Sequence, residues 1–427
     1  MIRCPDAPQP PFNKLQAWPV FSRLFLGIAV AWCCGSAKAQ EWTRFRGPDG
    51  NGQCDATGLP TSWSESDYRW RVELPGIGHS SPVIWGDRVY ITSALEDATQ
   101  ILQCRQTGDG SLAWERRFPS KSYRMHAANS YAVSTPSVDG KRLYHLWTTP
   151  ESIEVLALDA ATGEDVWRRD LGPFTAQHGS GASLIVFDGL VIVPNDQEGP
   201  SFAAALEADS GKTRWQITRK TGKASYCTPT IYRPAVGDPQ LILVSQAEGV
   251  TGHDPRTGKM LWQAPVVEHR TVASPVAVGN LIIVAGGEGG GGKQFLAIDA
   301  AKALPGGQPP VAYEVTGSLP YVPMSVAAGK LVFLWSDSGV VQCIHAADGE
   351  VLWRQRVGGK FYGSPVRVGD RLYCMSREGD MYVLAAADEY KLLAKVPLGE
   401  PSQSTPAVSG GVMYLRTHSH LMALGGK

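Results

Sequence analysis

Few residues in this 427-residue chain stand at spacings that could do chemistry. The segment GEGGGGK (287–293) fits both G-x-G-x-x-G and G-x-x-x-x-G-K, patterns that cradle phosphate where a strand turns into a helix. Here LIIVA (281–285) leads in and QFLAID (294–299) leads out, both strand-like, and Gln294 stands where a magnesium-binding Ser or Thr is needed. The segment therefore reads as a hairpin loop. Cys54, Cys104, Cys227, Cys343 and Cys374 include no C-x-x-C pair and no His-spaced zinc pattern. Cys104 and Cys343 occupy a position where Ala157, Ala205 and Ala297 stand elsewhere, as small buried fillers would. A disulfide through Cys54 is compatible with an oxidising compartment, and the pairing is open. His79, His126, Asn129, His178, Tyr226, Arg270, Tyr321 and Tyr362 are scattered singly. No Ser-His-Asp set or paired carboxylates can be nominated from spacing, so no catalytic residue and no metal ligand is assigned.

The elements that position those residues come from a repeat. DAATGEDVW (159–167) recurs as QTGDGSLAW (106–114), EADSGKTRW (207–215), DPRTGKMLW (254–262) and HAADGEVLW (345–353), each with Gly four residues before Trp. Trp114, Trp167, Trp215 and Trp262 lie 47 to 53 residues apart, and Tyr313 stands in the longer gap to Trp353. A period of about 40–50 residues marks a propeller or solenoid. Gly supplies the positive φ of a tight turn, and Asp159 can bond the backbone just after it. A second signature is Ser/Thr-Pro with Gly four residues on: Ser81-Pro82, Thr135-Pro136, Ser274-Pro275, Ser364-Pro365 and Thr405-Pro406, with variants at Ser183, Thr228 and Met324-Ser325. Pro is tolerated at a strand start because its missing N–H need not join the ladder. Eight such starts give eight blades. Tyr68–Leu74 is a Trp70-bearing strand with no blade before it, and the C-terminal blade lacks its Trp strand, so the chain's beginning completes its end. The expected fold is all-β: an eight-bladed propeller of four-stranded blades over 68–427, closed by the N-terminal strand. Two blades depart from the motif, the fifth with an enlarged turn (300–310) and the seventh without Gly or Trp at 387–390. In such a ring the eight scattered residues all precede blade starts. They gather at the channel mouth beside the loops bearing Asp196, Glu248, Glu288, Asp337 and Glu378, a default binding site.

Lys plus Arg (40) equals Asp plus Glu (40), which excludes the basic excess of a nucleic-acid binder. Residues 1–39 read as a signal peptide: Arg3, Lys14 and Arg23, an apolar run from Leu24 to Cys34, then Ala37-Lys38-Ala39. The run is shorter than a membrane span, so the mature chain is expected to carry no transmembrane helix and to be secreted or periplasmic; retention of the segment as an anchor is the alternative. Residues 40–67, with WTRFRGPDGNG at 42–52, form a non-repeat arm read as packed on the outside or base of the ring.

The Thr-Gly turn, Trp and Ser/Thr-Pro pattern resembles the PQQ-like (pyrroloquinoline quinone) propeller repeat, over 68–427. Eight blades and a signal peptide resemble its noncatalytic secreted members, including the BamB-type barrel-assembly lipoprotein. The arm with LPTSW (59–63) is similar to secreted propellers of planctomycete-type bacteria. The resemblance implies that Trp70, Trp114, Trp167, Trp215, Trp262 and Trp353 dock blade on blade. It implies, for the dehydrogenase members, PQQ held with Ca²⁺ by Glu, Asn and Asp, a catalytic Asp, a stacking Trp and a vicinal Cys pair. The adjacent cysteines here, Cys33-Cys34, lie in the signal segment, and no carboxylate set aligns with those ligands. The expectation is a monomeric, noncatalytic scaffold with an envelope protein partner and no assigned cofactor. The alternatives are a PQQ-dependent oxidoreductase and a carbohydrate or small-ligand binding module.

Overall fold

The computed structural model describes residues 41–426; the signal-peptide reading falls outside them. Eight antiparallel four-stranded sheets, blades I to VIII, follow one another along the chain. Lettering strands a to d from the channel outward, blade II is Ser137–Val138, Arg142–Thr148, Ile153–Asp159 and Asp165–Asp170. The short a strands of adjacent blades touch and form the channel wall. Blade VIII takes its a, b and c strands from Ala407–Ser409, Val412–Arg416 and His420–Gly425, and its d strand from Tyr68–Glu73, paired as Trp70 opposite Ala423 and Val72 opposite Leu421. The first strand after the arm thus closes the ring, and no blade is left with a bare apolar face.

The residues of the repeat explain why the blades stick. In every blade the c–d ladder slips by one residue just before the Trp position, as between Asp165 and Trp167. Such a bulge turns the next side chain out of the sheet. The Trp167 indole then lies over Gly211 of blade III and donates Nε1–H to the Ala208 carbonyl at 2.9 Å. A Cβ on Gly211 would stand 2.7 Å from Trp167 Cδ2, so glycine is required twice over, for φ +68° and for the indole. Trp70 lies over Gly110, Trp114 over Gly163, Trp215 over Gly258 and Tyr313 over Gly349, each with a hydrogen bond to the next blade. Trp353 donates to Ala387 and meets Tyr390 edge-on, so Tyr390 fills the place of the missing glycine. Trp262 departs from the docking expected of it. Blade V carries a short helical turn and a proline-rich excursion where that glycine should be. With no flat face to lie on, the indole stacks on Gly252 of its own blade and donates to Gln240.

A second set of bonds runs around the channel. The Ser81 amide donates to Thr135 Oγ1, Thr135 to Ser183, Ser183 to Thr228 and Thr228 to Ser274. Met324 donates to Ser364, Ser364 to Thr405, and Thr405 to Ser81, all at 2.9–3.2 Å and all buried. The hydroxyl of the Ser/Thr-Pro motif is therefore a blade-to-blade acceptor. Only at blade VI, where Met324 stands, does the circle lack one.

The arm crosses the channel at the end bearing the a–b turns. Trp42 forms a bridge with Ile84 of blade I, and Thr43 accepts from Val138 of blade II. Arg44 reaches the Pro229 carbonyl, and the fully buried Arg46 donates to Ser325 and Pro365 at 2.8 and 2.7 Å. Gln53–Cys54 then adds a parallel strand beside Arg367–Val368 of blade VII. A segment without periodicity thus binds the backbone of five blades and plugs one end of the ring. Cys54, Cys104, Cys227, Cys343 and Cys374 are all buried thiols, and no disulfide forms among them.

Candidate functional site

The opposite end of the channel is open. There the d–a connections and b–c hairpins of the blades surround a cavity of about 700 Å³. Phe45 of the arm lies on its floor. His79, His126, Asn129, His178, Tyr226, Arg270, Tyr321 and Tyr362 all line it. Two features make the mouth asymmetric. The long connections after blades I and II stack as a lip: His126 meets His178 edge-on at 4.8 Å, and Asn129 Nδ2 donates to the His178 and Ser180 carbonyls. From blade V the hairpin Leu281–Asp299 rises beside them, Gly289 and Gly290 turning at φ +62° and +80°. Two positive φ values are those of a I′ turn, so the glycine-rich segment is a tight strand-to-strand hairpin and not a phosphate loop.

The carboxylates divide. Asp196 and Glu248 both hold the buried Arg219, at 2.6 and 2.7 Å. Asp337 accepts from the Tyr321 and Val322 amides, and burial pushes its carboxyl up to about 6. Glu378 accepts from the Lys360 amide. These four tie turns together. Glu288 alone of the five lines the cavity, at 3.3 Å from Lys223. The histidines are not equivalent either. Burial, and then the nearby Arg416, hold His79 down to about 3, stacked near His418 at 5.7 Å. Burial, with Arg270 and His126, lowers His178. Arg270 lies across the wall, its Nη2 3.3 Å from Gln177 Oε1 and 3.5 Å from Glu198 Oε1. Tyr226 packs its ring on Gly181, and Tyr362 lies under the Arg377 guanidinium at 4.4 Å. Phe45, Lys223 and Gln177 were not nominated by sequence reasoning. Lys223 and Gln177 lie in the same d–a connections as Tyr226 and His178 and could have been found from that position; Phe45 could not, because nothing in the arm shows where it docks.

The described cavity does not suit the dehydrogenase cofactor. Its lining has one carboxylate, already beside Lys223, where a calcium ion needs several oxygen donors. It has no tryptophan to stack on a quinone and no vicinal cysteines. The site is an open, aromatic and mildly cationic funnel.

Fold and site together define the class: an eight-bladed PQQ-like propeller, plugged at one end and open at the other. The model of the family described as "Outer membrane protein assembly factor BamB" matches residues 132–305 and 310–424, and the chain belongs to that family. The structure of BamB from Moraxella catarrhalis is similar at a TM-score of 0.61 and 16% identity, covering 84% of this chain and 98% of that one. Quinohemoprotein alcohol dehydrogenase from Comamonas testosteroni is similar at 0.62 and 12% identity, over 90% of this chain and 80% of that one. At such identities these likenesses speak to the fold alone. Tetrathionate hydrolase from Acidithiobacillus ferrooxidans is 24% identical over 230 residues, half of this chain and 42% of the relative's length.

Proposed function

We propose that the protein is a noncatalytic binding scaffold of the cell envelope, acting as a monomer and presenting its open funnel to a protein partner. The observation that carries this reading is the funnel itself. Loops from all eight blades converge on one mouth, while the arm closes the other end and leaves this concave face open for recognition. The ring's closure supports the monomer, since every blade already covers its neighbour. Envelope residence is supported by the family's description and by the leader-like residues 1–39. No helix among the described residues is long and apolar enough to cross a membrane. Four of the five loop carboxylates are engaged with structural partners, which weighs against acid–base or calcium chemistry.

The test is affinity capture from envelope extract by the wild-type protein and by a variant with Tyr362→Ala and His126→Ala at the mouth. The reading expects one enriched partner, lost in the variant at unchanged melting temperature. Dye-linked oxidation on adding PQQ and Ca²⁺ would instead establish the oxidoreductase. A second reading, small-ligand binding in the same funnel, is favoured by the 700 Å³ cavity, a usual size for a ligand pocket, and by its tyrosine and histidine walls.

A further inference from the structure

The funnel wall between blades III and VI holds two donors with nothing to donate to. Arg270 is only 8% exposed although it lines the cavity, and its Nε–H has no hydrogen-bond partner. The Tyr226 hydroxyl, buried in the same wall, also has none. Leaving a buried polar group unpaired is costly, and more so when it is charged, so the two together favour a ligand that meets them. The guanidinium is not free to swing elsewhere. The Arg270 backbone is pinned to Gly287 of the tall hairpin, and its Nη2 is stretched toward Gln177 and Glu198 at 3.3 and 3.5 Å, long for charge-assisted bonds. Lys223 stands in the same lining, held only by the half-exposed Glu288. Burial, and then Arg270, bias the His178 imidazole of the same lining toward its neutral form, which can donate one bond and accept another.

An acceptor-only group answers this geometry. Both donors belong to residues of the lining that also holds Lys223, and that grouping favours an anionic acceptor. We propose that Arg270 and Tyr226, with Lys223, form an oxyanion site in the funnel wall, and that the funnel takes a small molecule bearing a carboxylate, phosphate or sulfo group. Phe45, Val272 and Met324 line the rest of the cavity, with Tyr321 hydrogen-bonded beside Arg270, and would cover an apolar or flat body attached to that group. The site rests on the reading that the funnel is the binding face, and it names the chemistry one wall selects.

Benzoate, inorganic phosphate and sulfate are the probes, titrated at matched ionic strength with chloride as the balancing ion and followed by calorimetry. Saturable binding of at least one probe is expected. It should weaken at least tenfold in Arg270→Gln and several-fold in Tyr226→Phe, which removes one oxygen and leaves the ring on Gly181. Arg270→Lys should recover part of the loss. Arg233→Gln, on the arm side of the ring, should change nothing. If benzoate binds more tightly than phosphate and sulfate, the ligand is an apolar carboxylate; the reverse order points to a compact oxyanion. Absence of saturable binding in the wild type, or equal affinity in folded Arg270→Gln and Tyr226→Phe, overturns the site. Partner capture run on the same variants separates the two readings. Capture that survives without anion binding removes only the oxyanion site, whereas Arg270-dependent anion binding without any captured partner removes only the scaffold.

Discussion

Substituting Trp167 by alanine and Gly211 by alanine, singly and together, tests the lock that holds blade II to blade III. Trp167→Ala removes a half-buried indole and its 2.9 Å bond to Ala208. Large-to-small replacement of an aromatic costs about 3–5 kcal/mol, and partial exposure puts this site near 3. Gly211→Ala has two costs. An L-residue at φ +68° costs about 1–2 kcal/mol, and the new Cβ, 2.7 Å from the indole, forces the ring off its seat and loses roughly one hydrogen bond, about 1 kcal/mol more. With the indole already gone the second cost vanishes. The double variant should therefore be more stable than the sum of the singles by about 1 kcal/mol. Urea unfolding at neutral pH, with the slope checked for constancy, reads the three variants. Additivity within about 0.5 kcal/mol would refute the stacked lock and leave the Trp–Gly spacing without its mechanism.

Four further outcomes follow from the same geometry. Thr228→Val keeps the shape but strips the acceptor from the buried Ser183 amide, and should lower unfolding stability by about 1–3 kcal/mol. Ser274→Ala removes the acceptor for the Thr228 amide and should cost a similar amount by the same measurement. Arg46→Met orphans the Ser325 and Pro365 carbonyls under the channel, and should both lower the melting temperature and open residues 41–54 to limited proteolysis. His145 is fully buried on strand b of blade II with neither ring nitrogen bonded, and burial holds it down to about 3. Its folded pKa lies below its unfolded one, so its contribution is complete above about pH 6.5 and is lost as pH falls toward 3. Thermal melts from pH 7 to 4 should fall steeply, and His145→Phe should flatten part of that fall.

The ring was legible because its signals repeat. Gly163 and Trp167 recur with fixed spacing, and the Ser/Thr-Pro starts count the blades independently, so the eight-bladed closure through Trp70 needed no partner information. The placement of His79, His126, Asn129, His178, Tyr226, Arg270, Tyr321 and Tyr362 around one cavity followed from position alone, since every one precedes a blade start. What stayed hidden depends on contacts far apart in sequence. Arg46 finds its acceptors 279 and 319 residues away, and nothing in a non-repeating arm signals that. The hydroxyls at Thr135 and Thr228 were visible as a motif, but their acceptor role appears only when the neighbouring blade's amide is placed beside them. Trp262 matched its motif and behaves differently, because its seat depends on a turn some 40 residues later. Arg270 looked like any loop arginine; its unpaired Nε–H is a property of the assembled wall.

Recognition through the funnel, rather than through the outer surface, is the central claim. A photo-crosslinking residue placed at Tyr362, on the cavity lining, and separately at Val236, 92% exposed in the a–b loop of blade IV, measures that directly in intact envelopes. A discrete adduct is expected from position 362 and none from position 236. An adduct from 236 alone would contradict it.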